Sequence, residues 1–376
     1  MINQNASATR LKECITALLP SAHGHQLNAI SDFVAAVIDK QTANQAALAR
    51  AFGNQEAATR RLSRLLHNPR LSPHKLADAV LNYLLQLLPR RGRLRLALDW
   101  TIEAPHHLLV VSLVTGARAI PLYWRAYSAK VLKGRMRRYE MAVIKRVIER
   151  LRQAAPRRRL ILTADRWFAD VDLADLLEML GIDYVIRVKC STKVWLAGRW
   201  QQLQGMRFVG NSRGRNLGRL WYCEADPHRL YVTMTRARNE QGHWEVWYLL
   251  SNRFARAGQA ASEYARRFGC EHGFRDSKWQ MGFGEARIRE VQAWSRMFAL
   301  IAISLLMVVH LAMRLLARGQ PQAFALMREV ASRRRGRWDL SPVSAMVHLL
   351  KLHGDLFDHL SFHSKLSLEI ALPNVS

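Results

Sequence analysis

Residues Arg93 to Thr101 read RLRLALDWT. Leu94, Leu96 and Leu98 alternate with Arg95, Ala97 and Asp99, the two-residue period of a strand with one face on a core. Before this stretch, up to about residue 88, Leu, Ala and Ile recur at three- and four-residue spacing, and that region reads as helix throughout. After it, HLLVVSLVTG (107–116) and AIPLYWRAY (119–127) read as two more strands, joined by a turn at Gly116-Ala117. Helical spacing returns over 135–154, with Met141, Ile144, Ile148 and Leu151 on one side. RRLILTAD (158–165) is a buried strand ending at Asp165, DLADLLEMLG (172–181) a short helix closed by Gly181, and DYVIRVK (183–189) another strand.

The order β-β-β-α-β-α-β predicts a mixed sheet: a three-stranded meander, then strands added through helical crossovers. In such a sheet the strands ending at Asp99 and Asp165 lie side by side and parallel. Both carboxylates then emerge at the carboxyl edge, where open α/β sheets place their sites.

Residues 190–252 differ in kind. Trp195, Trp200, Trp221, Trp244 and Trp247 fall here among glycine-rich turns and short alternating runs, which predicts a β-rich insertion. Helices resume near Gln259. Met297–Met313 is almost uninterruptedly apolar, but 17 residues only just reach the length that crosses a bilayer, so a buried core helix is expected and no membrane role.

Composition narrows the partners. The net charge is +28 and the isoelectric point about 11.1, which favours polyanions, nucleic acid foremost. Residues 118–159 carry fourteen Lys and Arg against two acids, a run suited to tracking a phosphate backbone. Arg60, Arg61 and Arg64 surround a Leu62, Leu65, Leu66 stripe in the N-terminal region, as in a small helical DNA-binding unit. Four cysteines lie far apart without a CxxC pair, which argues against a disulfide scaffold or a zinc finger.

Residues 264–280 read YARRFGCEHGFRDSKWQ. On a helix at about 100° per residue, Tyr264, Arg267, Glu271, Arg275 and Lys278 share one face of about 80°. Alone, that is a charged face held by weak i,i+4 pairs. Together with two strand-borne aspartates, Glu271 becomes the third of three carboxylates able to hold two divalent cations for phosphoryl transfer, with the surrounding cations on phosphates.

These residues carry a resemblance. Asp99 (LALDWT), Asp165 (LTADRWF) and Glu271 resemble the catalytic triad of DDE transposases. The spacing Tyr264, Arg267, Glu271, Lys278 is similar to the tyrosine-arginine-glutamate-lysine signature of one bacterial insertion-sequence group. RRLSRLLHNPRLS (60–72) is similar to that group's N-terminal region.

The resemblance implies an α/β fold: an RNase H-like mixed-sheet core with a β-rich insertion, an all-α N-terminal domain and a helical C-terminus. The expected divisions are a DNA-binding domain over 1–88, core over 89–190, insertion over 191–255, core with the glutamate helix over 256–320, and a C-terminal region over 321–376. It implies cut-and-paste transposition, with Asp99, Asp165 and Glu271 ligating two Mg²⁺ ions (Mn²⁺ able to substitute). Tyr264, Arg267, Arg275 and Lys278 would hold phosphates, and Arg60, Arg61 and Arg64 would bind DNA. Partners would be double-stranded DNA (the element's terminal inverted repeats and the target) and a second copy of the chain when two ends are synapsed, in the cytoplasm at the bacterial nucleoid. In some members an aromatic of the insertion stacks on a base at the cleaved end, which makes each of the five tryptophans eligible, with core packing expected for most. Relatives often carry glycine two positions after the second aspartate; this chain has Trp167. Two other readings share the fold: a non-catalytic DNA-binding protein and a structure-specific nuclease.

Overall fold

The computed structural model describes residues 6–88, 92–103, 105–115, 118–238, 242–267, 281–334 and 337–360. They fall into two units. One gathers Met1–Pro89, Trp100–Met136 and Cys270–Ser376, and the other Arg90–Asp99 and Arg137–Gly269.

The first unit begins with five helices: α1 (Ala6–Leu18), α2 (Gly24–Lys40), α3 (Gln45–Ala49), α4 (Gln55–Leu66) and α5 (Pro73–Leu87). Asn44 and Asn54 cap α3 and α4, each side chain accepting a backbone N–H three residues on. Strand β1 (Arg93–Glu103) enters this unit at Trp100 and is followed by β2 (His106–Thr115), β3 (Arg118–Ser128) and the single turn α6 (Ala129–Leu132). Here the strand order is β3-β2-β1, the meander expected from the sequence.

The core of this unit is one long helix among the C-terminal elements, introduced below as α10 (Val291–Leu315). Its 25 residues are long and apolar enough to cross a membrane, yet 94% of its most apolar stretch is buried among α2, α5, β3 and a later helix, Pro342–Leu352. A helix apolar all round is stable in this setting because every side has a protein neighbour. Arg296 is its one buried cation among the described residues. Its Nε and Nη1 donate to the carbonyls of Leu71 (2.6 Å) and Leu66 (2.7 Å), which occupies the carbonyl end of α4 and ties that helix to the core. Just ahead of α10, Gly282 has φ +65°, and a Cβ there would lie 2.4 Å from Thr42 Cα, so only glycine fits so close an approach.

The second unit is built on a sheet in the order β1-β4-β5-β10-β9-β8-β6-β7. Helix α7 (Met136–Ala154) leads to β4 (Arg159–Ala164), and α8 (Val171–Met179) leads to β5 (Asp183–Val188). β1, β4 and β5 run parallel. Gly181 (φ +66°) ends α8: its N–H bonds to Glu178 O, and Ile182 N–H reaches back to Leu177 O, a Schellman closure. The insertion is antiparallel: β6 (Lys193–Leu196), β7 (Arg199–Gln202), β8 (Gly214–Tyr222), β9 (His228–Arg238) and β10 (Trp244–Ser251). Helix α9 (Ala257–Ala265) packs across β5, β8, β9 and β10.

After the segment outside the description come α10, α11 (Ala323–Val330), a small hairpin of β11 (Arg333–Arg334) and β12 (Arg337–Trp338), and α12 (Pro342–Leu352). The mixed sheet with α-crossovers, β-insertion, N-terminal helices and C-terminal helices is the RNase H-like α/β architecture expected above.

Two details depart from the sequence reading. β1 does not end at Asp99 but continues to Glu103; only its pairing with β4 stops at Leu98. The helix bearing Tyr264 stops at Ala265, so the face running from Tyr264 to Lys278 is not one helix. Arg266 and Arg267 close it with bonds to Glu263 O and Tyr264 O, the tighter i→i−3 turn of a helix end. The sequence supplies a reason to stop: Gly269 and Gly273 follow, each costing a helix roughly 1 kcal/mol relative to alanine.

Candidate active site

The two aspartates are brought together by register alone. Leu98 pairs with Ala164 in the parallel β1–β4 ladder, so Asp99 and Asp165 occupy the next position on neighbouring strands. Below them Thr163 Oγ donates to Leu96 O at 3.2 Å and fastens the two strands. The strands are so apolar because both faces are covered: Leu94, Leu96, Leu98, Ile161 and Ala164 are all fully buried. Their chemistry can leave the sheet only at its ends.

Asp165 also begins a single 3₁₀ turn, Arg166–Phe168, and its carboxylate accepts the Trp167 N–H at 2.9 Å. Phe168 is buried and anchors the turn, whereas Trp167 stands 60% exposed beside the carboxylate.

Asp99 faces a cation. Arg267 Nη1 lies 3.7 Å from Asp99 Oδ2, and Arg267 as a whole is only 5% exposed. Its guanidinium sits over the Tyr264 ring, 5.4 Å from the centroid. That ring is fully buried with Ile161, Val185, Leu249 and Phe254, and meets Trp247 edge-on at 5.1 Å. Burial pushes the phenol's pKa up, with Arg267 opposing. Behind them Trp247 Nε1 donates to Glu245 (2.5 Å), which also accepts from Arg187 Nη2 (2.9 Å). Burial would raise the pKa of Glu245, but these two hydrogen bonds and the charges of Arg187 and Arg166 hold it below the usual carboxylate value.

Helix α9 is itself pinned. Glu263 accepts from Arg95 Nε (2.7 Å) and Nη2 (3.1 Å), a two-pronged bond between α9 and β1. Burial works to raise the pKa of Glu263, and Arg95, Arg266 and Arg93 outweigh it and lower it. Arg267 is thus aimed at Asp99 by a strand, a helix and an aromatic stack.

Of the residues expected from sequence, Asp99, Asp165, Tyr264 and Arg267 are gathered here. Glu271, Arg275 and Lys278 lie outside the described residues. Tyr264 contributes a buried ring that supports Arg267, not an exposed hydroxyl. On α4, Arg60 is exposed and paired with Glu56, and Arg64 is exposed. Arg61 is more committed: it pairs with Asp32 at 3.0 Å and covers the rings of Phe33 and Phe52. Among the described residues no three His, Cys, Asp or Glu side chains gather as a metal-binding group. The donors that are described, two carboxylates at one sheet edge, suit a hard cation that takes oxygen ligands and few protein groups.

Glu245, Arg187, Arg95 and Glu263 were not foreseen as parts of this site, and Trp247 was one of five tryptophans not told apart. Their signal lies in strand pairing, which single-chain periodicity does not reveal. The same edge carries Trp244, 57% exposed and directly opposite Arg238, whose guanidinium lies 5.0 Å from the ring centroid.

An RNase H-like sheet with paired aspartates at its carboxyl edge defines a class of nucleic-acid phosphoryl-transfer proteins. Residues 129–307 match the family described as the transposase DDE domain, a match that supports a DDE transposase. Asp165, Tyr264, Arg267 and Glu271 fall inside the matched span, and Asp99 precedes it. No curated protein matches the chain.

Proposed function

We propose that this transposase cuts the ends of its DNA element and joins them to target DNA by a cut-and-paste route. The observation that carries the reading is the adjacent register of Asp99 and Asp165 on parallel strands, with Arg267 beside them. Asp99 and Asp165 would hold two divalent ions, Mg²⁺ from the oxygen-only donors, with Glu271 as the third ligand. When bound, such ions stabilise charge on the attacked phosphate and acidify a water or 3′-hydroxyl.

The chain's own residues do the positioning. Arg267 presents a guanidinium in fixed orientation for a phosphate oxygen, and the Tyr264–Trp247 stack keeps it there. Lys278 and Arg275 act on neighbouring phosphates. Arg138, Lys145, Arg146 and Arg150 are exposed on α7, and Arg60 and Arg64 on α4, which suits them to the backbone of the terminal repeats. Arg61 supports that face from beneath. Two copies of the chain would bring two ends together.

The test is direct. Purified protein is incubated with duplex carrying the element's end and Mg²⁺, and both strands are mapped at nucleotide resolution. Discrete cuts at the element boundary, absent with EDTA, are expected. Cutting of branched or RNA-containing duplexes without joining would replace this reading with a nuclease.

A further inference from the structure

Four strands of the insertion place one side chain each in a single lateral row. Trp200 on β7 is directly opposite Trp195 on β6, Trp195 is opposite Trp221 on β8, and Trp221 is opposite Arg229 on β9. Directly opposite residues project from the same face of a sheet. The row therefore runs across about three strand spacings, roughly 14 Å.

The neighbouring positions show which face this is. Val194 and Tyr222, paired with each other one residue away, are buried on the other side, while Trp195 and Trp221 are 40% and 42% exposed. A half-solvated antiparallel sheet ordinarily turns polar side chains outward. Here it turns out three tryptophans. Trp195 and Trp200 meet edge-on at 5.7 Å, and the Arg229 guanidinium lies 6.0 Å from the Trp221 centroid. Two residues along the strands, on the same face, Arg219 lies opposite Tyr231, guanidinium to ring 5.9 Å.

The row is remote from the aspartates. β8 is four strands from β4 in the sheet, and Trp221 pairs at the end of β8 away from the carboxyl edge. Strand spacing and rise place the row roughly 20–30 Å from Asp165. No residue in it reaches a base at the cleaved phosphate.

We propose that this face is a second nucleic-acid site, one that binds an unpaired DNA strand by stacking bases on Trp195, Trp200 and Trp221, with Arg229 and Arg219 on the phosphates. The occupant follows from chemistry. Flat rings that are accessible from one side accept any base, and arginines interleaved with them select a polyanion over an apolar peptide. A duplex keeps its bases stacked inside and offers these rings nothing. The inference rests on the chain acting on DNA, but it does not depend on the aspartates.

The test uses the full chain and a fluorescein-labelled fifteen-residue oligothymidylate, read by anisotropy at fixed salt. Trp195→Ala/Trp221→Ala should weaken binding about 10-fold or more. Trp195→Phe/Trp221→Phe, which keeps flat rings in the same sheet, should recover most of it. Binding to a blunt duplex and Mg²⁺-dependent cutting of a duplex end should stay within about twofold. Circular dichroism confirms the fold of each variant, and should the double alanine variant not fold, the single Trp221→Ala variant takes its place. Unchanged oligothymidylate binding overturns the proposal. Equal loss on single strand and duplex also overturns it, making the face a general phosphate surface. So does a change in oligomeric state, which would make it a contact between copies of this chain. A chain that holds oligothymidylate on these tryptophans but cuts no DNA refutes the transposition chemistry alone.

Discussion

The sheet of the second unit has two halves that solve burial in opposite ways. β1, β4 and β5 are parallel and covered on both faces, so β4 runs Leu160 to Ala164 without one exposed residue. β6, β7 and β8 are antiparallel and alternate, with Val194 and Tyr222 buried and Trp195 and Trp221 outward. The parallel half can offer chemistry only where the pairing of β1 with β4 stops, at Asp99 and Asp165. The antiparallel half offers a whole face. Strand direction thus decides whether a sheet acts from its edge or its side.

The sharpest way to break this comparison is at the edge. Asp99→Ala or Asp165→Ala should reduce cutting of a labelled duplex end on the order of 10³-fold while the melting temperature barely moves. Cutting at the wild-type rate by either variant would remove the edge from the chemistry. The next effect tests burial: Ile161→Ala should cost about 3 kcal/mol in urea unfolding, whereas Trp195→Ala should cost under about 1. Equal costs would mean the two halves are not packed as differently as they look.

Glu263, which pins α9 to the parallel half, gives a pH signature. Its folded pKa lies below the ordinary value, so its contribution is present above about 4.5 and is lost as pH falls through the lower folded value. Glu263→Gln should cost about 2 kcal/mol at neutral pH and flatten the acid limb of the stability curve. An unchanged acid limb would detach Glu263 from the fold's energetics. The smallest effect is local: Gly181→Ala, at φ +66°, should cost about 1 kcal/mol by thermal unfolding, because only the closure of α8 is strained.

Much of this was legible in the chain. Alternation over 93–99 and the apolar run over 159–164 give the strands, and their order gives the shared edge. The long apolar run from Met297 marks the core helix. Two things were hidden. The anchoring of α9 on β1 rests on a tertiary bond, Arg95 to Glu263, separated by 168 positions. The burial of Tyr264 against Trp247 depends on pairing between β10 and its neighbours, which fixes where Trp247 points. Periodicity reports which face a residue shares, not what covers that face. For the same reason five tryptophans in one segment looked alike, although Trp247 is core, Trp244 is paired with Arg238, and three form a row.

Arg296 has a mechanical consequence. By filling the end of α4 from inside α10, it joins the helix carrying Arg60 and Arg64 to the long buried helix of its unit. If α4 holds DNA as proposed, a pull on that DNA would pass through Arg296 to the buried core helix.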